Sequence, residues 1–301
     1  MRTPASYREL IASCLRSVYM GDPFASGPFV APKPSRSRSD EVQTSEYINS
    51  GIRCVVYRPT KLFDKSPAII YMHGGGFVVG CSEDTDFITR KLCLSNNMIV
   101  ISVNYGLSPE TIFPGALTDC EEVLKSVVRD SEKLSLDPEQ IYIAGDSAGA
   151  NLALGLFQKV ALHQPHIKGL ILLAPWLDME VEQYDSYNRL APDGIVFDAA
   201  FIAYARAAYT RFEEWKNPLV SPLFCKLQDL PSTIVLIGTA DPLLDQSLAL
   251  DQKAKLNNCS QIEVHTYAEM PHCFYSFENL YLEEALCFEQ ISRFISRTRV
   301  G

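Results

Sequence analysis

Long apolar runs and paired cysteines are both missing from this sequence of 301 residues. No apolar run approaches the roughly 18 residues that a membrane-spanning helix requires. Charged residues interrupt the N-terminal stretch from Tyr7 to Arg16, so it lacks the apolar region of a secretory signal peptide. None of the nine cysteines lies in a CxxC pair, and their odd number favours reduced thiols over a disulfide framework. The sequence therefore predicts a cytoplasmic protein with no membrane span.

Basic residues are also in short supply. Lysine and arginine number 27 against 36 aspartates and glutamates, which gives a net charge of −9. Such a charge repels phosphate backbones and anionic lipid surfaces. One basic cluster, Lys33, Arg36 and Arg38, lies in a stretch rich in proline and serine that is typical of a solvated linker. We therefore expect no nucleic-acid partner.

Segments of strand length alternate with segments of helix length through the rest of the chain. This alternation predicts an α/β fold with a mostly parallel central sheet and helices on both of its faces. The first apolar run alternates with polar residues, which is typical of an antiparallel strand with one solvated face. The predicted strands are 52–58, 68–72, 98–103, 141–144, 170–173, 233–237 and 262–267, and the predicted helices are 87–95, 117–129, 148–162, 247–256 and 283–297.

Two stretches are longer than this alternating fold requires. About 40 residues precede the first predicted strand, and about 60 separate Leu173 from Thr233, whereas a crossover with its helix takes about 30. We interpret residues of about 1–40 and about 181–220 as a cap on a single domain that spans 1–301. A cap would exclude water and shape an apolar pocket. The alternative is that both stretches are peripheral helices that only stabilise the fold.

A motif of glycine and serine joins the fourth predicted strand to the helix that follows it. Residues 145–149 read Gly-Asp-Ser-Ala-Gly, which is a G-x-S-x-G pattern. In this setting the serine is held on a tight turn between strand and helix, and the helix N-terminus supplies positive potential beside its oxygen. Glycines are required because the two backbones approach closely at the turn. This context indicates that Ser147 is a nucleophile, with a purely structural turn as the alternative.

A second glycine-rich segment follows the second predicted strand, where residues 73–76 read His-Gly-Gly-Gly. Glycines allow backbone amides to approach a substrate without obstruction by a Cβ atom, as an oxyanion loop requires. The segment lacks both the G-K-[ST] ending of a P-loop and the G-x-G-x-x-G spacing of dinucleotide-binding folds. We therefore interpret it as an oxyanion loop, and a flexible loop without a catalytic role is the alternative.

A serine nucleophile needs a base and an acid that orients the base. Among the five histidines, His272 is the candidate base because it follows the last predicted strand on a loop downstream of Ser147. Asp241 follows the sixth predicted strand directly and is the favoured acid, whereas Asp245 falls near the next helix and is the second candidate. Ser147, Asp241 and His272 occur along the chain in the nucleophile–acid–base order of α/β-hydrolases.

The remaining histidines are assigned no catalytic role. His73 belongs to the glycine-rich loop, and His265 lies within a predicted strand, where a packed histidine is the ordinary case. His163 and His166 have H-x-x-H spacing but no neighbouring carboxylate or cysteine. We therefore expect no metal site.

Four sequence blocks together resemble the hormone-sensitive lipase-like branch of the α/β-hydrolases, which includes many bacterial esterases. The blocks are 73–77, 104–114, 145–149 and 241–243, and residues 221–223 and 271–272 fit the same family. The resemblance implies an α/β-hydrolase fold with a helical cap, built from the N-terminal segment and an insertion before residue 221. It also implies that the backbone amides of Gly75, Gly76 and Ala148 form the oxyanion hole.

Three residues depart from the pattern of that family. Gly106 and Ser108 replace the arginine and alanine of its N-Y-R-L-A-P-E block, and Ala150 replaces the last glycine of G-D-S-A-G-G. None of the three is a proposed member of the triad, so we expect catalysis to be retained. Loss of the arginine is expected to change the support beneath the active site.

These observations together predict a serine carboxylesterase that hydrolyses short-chain acyl esters through a triad and an acyl-enzyme. Its partner would be a small-molecule ester, it would need no metal or organic cofactor, and it would be a monomer or a homodimer. One alternative is an amidase or lactonase that uses the same triad. The other is a non-catalytic small-molecule receptor, because plant gibberellin receptors resemble this family but have lost the histidine that His272 retains.

Overall fold

Eight strands form one sheet in the part of the chain that the computed structural model describes. That part is residues 41–299 without 63–64, 161–166, 193, 195–196, 229 and 278–279. The strands are β1 (Val42–Asn49), β2 (Ile52–Pro59), β3 (Ser66–Met72), β4 (Ile99–Val103), β5 (Leu136–Asp146), β6 (Ile167–Leu173), β7 (Ser232–Ala240) and β8 (Ile262–Pro271). They lie in the order β1-β2-β4-β3-β5-β6-β7-β8. The pairs β1–β2 and β2–β4 are antiparallel, and every other neighbouring pair is parallel.

Helices cover both faces of this sheet. The α-helices within the described residues are α1 (Asp86–Asn96), α2 (Gly115–Arg129), α3 (Ser131–Leu134), α4 (Ala148–Val160), α5 (Asp185–Leu190), α6 (Ala199–Tyr209), α7 (Leu244–Leu256) and α8 (Leu282–Arg299). Helices α1 and α8 pack together on one face, and α2, α4 and α7 lie on the other. The predicted α/β class, with a mostly parallel sheet between two helical layers, is confirmed.

The central strands are apolar because both of their faces are covered. Every residue of β3 and β4 is buried, and isoleucine and valine, which favour a pleated and tightly packed surface, make up four of the five residues of β4. Helix α4 packs on β3, β5 and β6, directly behind the end of the central strand β5. The segment that leaves β5 is therefore fixed between a buried strand and a buried helix.

The first predicted strand differs from the expectation in one respect. β2 is antiparallel to both neighbours, as predicted, but six of its eight residues are buried, so the prediction of a solvated face was wrong. Helix α1 packs on β2, and β1 lies outside it at the edge of the sheet. The exposed residues are on β1, which the sequence patterns did not predict because only Val42 and Tyr47 of this strand are buried.

The long connection between β6 and β7 is helical, as the surplus of residues indicated. Its described residues contain α5, α6 and three 3₁₀ turns, Val181–Gln183, Phe212–Glu214 and Pro222–Phe224. Asn151 of α4 holds its two ends together, since its Nδ2 donates to the carbonyls of Trp176 at 2.7 Å and Val220 at 2.8 Å. The Oγ of Ser221 accepts from the amide of Met179 at 2.9 Å. The other stretch assigned to a cap, 1–40, lies outside the described residues.

Candidate active site

Four loops meet at one edge of the sheet, where the parallel strands end. The glycine-rich loop follows β3, Ser147 follows β5, Asp241 follows β7 and His272 follows β8. Ligands of open α/β sheets bind in the crevice outside the carboxyl ends of the strands. The topology therefore brings together residues that are up to 199 positions apart in the sequence.

Ser147 occupies a strained turn between β5 and α4. Its φ of 53° lies in the left-handed region, which a residue with a Cβ rarely adopts. The Ser147 amide donates to the carbonyl of Leu173 at 2.8 Å, and the Ser147 carbonyl accepts from the amide of Trp176 at 3.2 Å. A Cβ at Gly149 would overlap the carbonyl oxygens of Met72 and His73, so only glycine allows α4 to start this close to β3. Strain at Ser147 is thus held by the packing on both sides.

His272 connects Ser147 to Asp241 by two short contacts. Its Nε2 lies 2.9 Å from Ser147 Oγ, and its Nδ1 lies 2.7 Å from Asp241 Oδ2. Because a carboxylate only accepts, Nδ1 carries the hydrogen and Nε2 is left to accept from the serine hydroxyl. The exposed fractions of Ser147, His272 and Asp241 are 2%, 4% and 0%. The geometry is that of a nucleophile, a base and an orienting acid, and all three side chains are buried.

Burial and charge act on the base in opposite directions. Burial lowers the pKa of His272, whereas the Asp241 carboxylate and Cys273 raise it, and the net effect is a pKa well above 6.5. We attribute the increase mainly to Asp241, because a carboxylate at hydrogen-bonding distance favours the imidazolium. The second oxygen of Asp241 is fixed separately, since its Oδ1 accepts from the amide of Leu243 at 2.8 Å.

The glycine-rich loop is joined to the residue before Ser147, since the amide of Gly74 donates to Asp146. Gly75 and Gly76 have φ angles of 113° and 61°, which glycine adopts without strain. Within the described chain, the amides of Gly75, Gly76 and Ala148 donate to no other protein group. These three are the amides predicted for the oxyanion hole, and that role remains a prediction.

Asp146, directly before Ser147, supports this loop. Its Oδ1 accepts from the amide of Gly74 at 2.9 Å and from the hydroxyl of Tyr71 at 2.6 Å. Burial raises the pKa of Asp146 to about 6, although both hydrogen bonds act to lower it. The side chain therefore ties the glycine-rich loop after β3 to the turn after β5.

His73 is a structural member of the same loop. Its ring stacks on that of Tyr105 with 4.3 Å between centroids and 14° between planes, and Tyr105 donates its hydroxyl to the His73 carbonyl at 2.6 Å. The ring Nδ1 lies 2.7 Å from the carbonyl of Gly74. Burial lowers the pKa of His73 to about 4, so its imidazole is neutral at physiological pH.

The second candidate acid is directed away from the base. Asp245 lies in α7, as predicted, and its Oδ2 accepts from the amide of Ser186 in α5 at 2.7 Å. Ser186 in turn donates its hydroxyl to the carbonyl of Pro242 at 2.9 Å. Asp245 therefore joins the helical connection to the loop that carries Asp241.

The other residues singled out in the sequence lie elsewhere. His265 is in β8 and contacts Glu263, and His163 and His166 lie outside the described residues. Gly106, which replaces an arginine, donates its amide to Asp119 Oδ2 at 2.8 Å. Among residues that the structure describes, no three His, Cys, Asp or Glu side chains are grouped as metal ligands, and no helix is long and apolar enough to cross a membrane.

Three supporting residues were missed by the sequence reasoning. Asp146 lies within the Gly-Asp-Ser-Ala-Gly motif. A carboxylate at the end of a buried strand needs hydrogen-bond partners, and this requirement could have indicated its role. Asn151 follows the same motif on the buried side of α4, where a polar side chain also needs partners. Phe197, which packs on His272, belongs to the stretch 181–220 that was interpreted as a cap, and no pattern indicated its position.

Comparison with known proteins gives one match to a family and many to individual proteins. Residues 69–276 match the model of a family described as having the alpha/beta hydrolase fold. An esterase of Acinetobacter venetianus is 31% identical over 230 residues, which cover 75% of this chain and 73% of the relative. An acetyl esterase of Salmonella paratyphi B is 29% identical over 246 residues, which cover 75% and 74% of the two chains.

Solved structures show the same similarity in three dimensions. A thermophilic and thermostable carboxylesterase cloned from a metagenomic library superposes with a TM-score of 0.80 at 28% sequence identity. The superposition covers 98% of this chain and 97% of that one. The similarity thus extends beyond the motifs to the whole architecture.

Proposed function

The chain belongs to the α/β-hydrolase family, and from that premise we propose that it is a serine carboxylesterase that acts on short-chain acyl esters. The resemblance and fold class recognised in the sequence are confirmed by the family match. Similarity to an esterase, an acetyl esterase and a carboxylesterase supports hydrolysis of carboxylic esters as the activity. The triad and the preference for short chains are our proposals.

The observation that carries the catalytic proposal is the chain of contacts from Asp241 through His272 to Ser147. A serine hydroxyl is a weak nucleophile until a base accepts its proton. The 2.9 Å between Ser147 Oγ and His272 Nε2 allows this proton transfer, and the 2.7 Å between His272 Nδ1 and Asp241 Oδ2 is a hydrogen bond that orients the imidazole. The left-handed turn at Ser147 presents its hydroxyl at the carboxyl edge of the sheet, where a substrate carbonyl can reach it.

In the proposed acylation step, Ser147 Oγ attacks the ester carbonyl carbon while its proton passes to His272 Nε2. The carbonyl π electrons move to oxygen, and the amides of Gly75, Gly76 and Ala148 stabilise this oxyanion. When the tetrahedral intermediate collapses, His272 gives the proton to the departing alkoxide and the carbon–oxygen bond of the alcohol breaks. Asp241 keeps the imidazole in the required tautomer and stabilises its positive charge.

Deacylation repeats the sequence with water as the nucleophile. His272 removes a proton from water, and the hydroxide attacks the acyl-enzyme carbonyl. The second tetrahedral intermediate collapses with the return of the proton to Ser147 Oγ, which releases the carboxylic acid. No redox change occurs in either step. The enzyme returns to its starting protonation state, and one water molecule is consumed for each ester hydrolysed.

We attribute the short-chain preference to aromatic residues of the helical connection. The ring of Phe201 lies against Gly76, so that a Cβ on this glycine would approach it to 2.8 Å. Trp176 and Phe197 of the same connection are also buried, and Trp176 packs against Phe77, which follows the glycine-rich loop. We propose that 181–220, together with 1–40, forms the cap of a single domain, and that the cap leaves room for small acyl groups only. The acetyl esterase relative agrees with this proposal.

The test is turnover of p-nitrophenyl esters of increasing acyl length, with Ser147→Ala as the blank and p-nitroacetanilide as the amide control. We expect the highest kcat/KM for short chains and little turnover of the anilide. Fastest turnover at twelve or more carbons would contradict the short-chain proposal. An anilide rate above that of the esters would favour the amidase alternative, and no turnover of any substrate would favour the receptor.

A further inference from the structure

An aromatic ring from the helical connection stacks on the proposed base. The Phe197 and His272 rings have their centroids 4.6 Å apart and their planes 24° from parallel. Phe197 is 3% exposed and His272 is 4% exposed, so each covers the other from solvent. His272 is thus held on one edge by Asp241, at the other by Ser147, and across one face by Phe197.

The position of Phe197 is fixed by its own surroundings. It lies between α5 and α6, immediately before Asp198, whose Oδ1 accepts from the amide of Phe201 at 2.8 Å and caps α6. Its ring meets Trp176 edge to face at 5.3 Å and Phe201 at 5.8 Å. The cap fixes the backbone directly after Phe197, and Trp176 and Phe201 pack on its ring.

The Phe197 ring affects the charge of His272 as well as its packing. The proposed mechanism requires His272 to become a cation in each half-reaction, and a cation within about 6 Å of an aromatic centroid is attracted to the face of the ring. The other ionisable groups near His272 are Asp241 after β7, Asp146 at the end of β5 and its chain neighbour Cys273. Phe197 is the contact to the base that comes from the helical connection.

We propose that Phe197 is a positioning residue through which the cap controls the base: its ring fixes the plane of His272 and stabilises the imidazolium that forms when Ser147 loses its proton. This inference rests on the proposed function, since it assigns a task to a base. It implies that the cap does more than enclose the substrate. Displacement of the start of α6 would leave the nucleophile in place but weaken the base.

The stacked ring can be detected in the wild-type protein by NMR of labelled histidine, with the His272 signal identified by its absence in His272→Gln. We expect upfield ring-current shifts of the His272 carbon-bound protons and nuclear Overhauser effects to Phe197. We expect the pKa of His272 to lie above 6.5. Absence of both the shifts and the Overhauser effects would overturn the proposal without any variant.

Substitutions of Phe197 then distinguish the effect of its aromatic ring from that of its apolar packing. Phe197→Leu and Phe197→Met retain an apolar side chain but remove the ring, and Phe197→Tyr retains the ring. Phe212→Leu is the matched control, because Phe212 belongs to the same connection, is 67% exposed and meets Trp215 edge to face. We expect the pKa of His272 to fall by about half a pH unit in the two ringless variants and to stay unchanged in the others.

Kinetics on p-nitrophenyl acetate provide the second measurement. In the ringless variants we expect kcat to fall roughly threefold to tenfold, and the lower inflection of the pH profile to shift to lower pH by the same half unit. An unchanged His272 pKa in a folded ringless variant would overturn the role proposed for Phe197. If the ringless variants keep full activity and only Ser147→Ala loses it, the role of Phe197 is overturned but the proposed esterase function is supported. A wild-type protein that stacks and titrates as expected but does not hydrolyse esters would contradict the proposed function instead.

Discussion

Three aspartates near the active site have different surroundings, and we assign them different tasks for that reason. Asp241 is fully buried and contacts the base, with its second oxygen held by the amide of Leu243. Asp146 is buried and holds Gly74 of the oxyanion loop. Asp245 binds Ser186 in the helical connection. The three residues are of the same type, so their tasks are distinguished by their hydrogen-bond partners.

Substitution by asparagine distinguishes Asp241 from Asp245. In Asp241→Asn the amide oxygen is expected to keep the Leu243 hydrogen bond, which turns the NH₂ group toward His272 Nδ1 and forces the hydrogen onto Nε2. The base then faces Ser147 in the wrong tautomer, so we expect kcat to fall by about 10⁴. Asp245→Asn keeps an oxygen for the Ser186 amide, and its kcat should stay within about threefold of wild type.

Both variants are to be compared by steady-state kinetics, with circular dichroism as the check on folding. A larger loss in Asp245→Asn than in Asp241→Asn, with both variants folded, would exchange the two roles.

At this scale the sequence indicated the residues with strong motifs and missed those that support them. Ser147 and the glycine-rich loop were recognisable because glycine spacing reports backbone geometry directly. His272 and Asp241 could be proposed from the sequence because each lies in a loop that follows a predicted strand. The contacts of Asp146 with Gly74 and of Phe197 with His272 join segments that are distant in the chain, and no local pattern records such a contact.

At the scale of elements, helix α4 connects the nucleophile to the fold. Two of its glycines have different surroundings. A Cβ at Gly149 would overlap backbone carbonyl oxygens of Met72 and His73, which belong to β3 and the oxyanion loop. A Cβ at Gly155 would come no closer than 3.3 Å, to the carbonyl oxygen of Leu219. Gly149 is therefore required by helix–strand packing, whereas Gly155 leaves room for a small adjustment.

We expect Gly149→Ala to lower the free energy of unfolding by about 3 kcal/mol or more, because the overlap is with backbone and no rotamer can relieve it. Gly155→Ala should stay within about 1 kcal/mol of wild type, since gained helix propensity offsets the tight contact. Urea denaturation followed by circular dichroism measures both. Equal stability of the two variants would contradict the packing described here.

Element boundaries were predicted less well than element types. Strands β5 and β8 extend beyond the predicted 141–144 and 262–267, because residues outside the apolar runs still pair, as Asp146 does with Leu173 and Pro271 with Ala240. β1 was not predicted, since most of its side chains face solvent and only pairing with β2 makes it a strand. The apolar pattern of a sequence indicates which segments are buried. Edge strands and strand ends are stabilised by backbone hydrogen bonds instead, so this pattern does not predict them.

At the scale of the whole molecule, the order of the strands accounts for the site. β3, β5, β7 and β8 lie in one parallel set, so the loops that follow them open at the same edge. The alternating pattern of the sequence predicted this parallel sheet, and the surplus between β6 and β7 predicted an insertion above it. The order of strands within the sheet was not predictable from the pattern, because pairing depends on contacts between segments far apart in the chain.

Every catalytic step proposed for this protein requires Ser147 to be a single activated nucleophile. A fluorophosphonate reacts with such a serine when Oγ attacks phosphorus and fluoride leaves. Intact-mass spectrometry followed by peptide mapping measures both the number of adducts and their position. Ser260→Ala is the matched control, because Ser260 is exposed and lies before β8, at the edge of the sheet opposite the site.

We predict one adduct per chain on Ser147 in the wild-type protein and in Ser260→Ala, and none in Ser147→Ala. We also predict a loss of kcat in Ser147→Ala of about 10³ to 10⁶. Labelling of Ser147→Ala at another serine, with ester hydrolysis retained, would contradict the account.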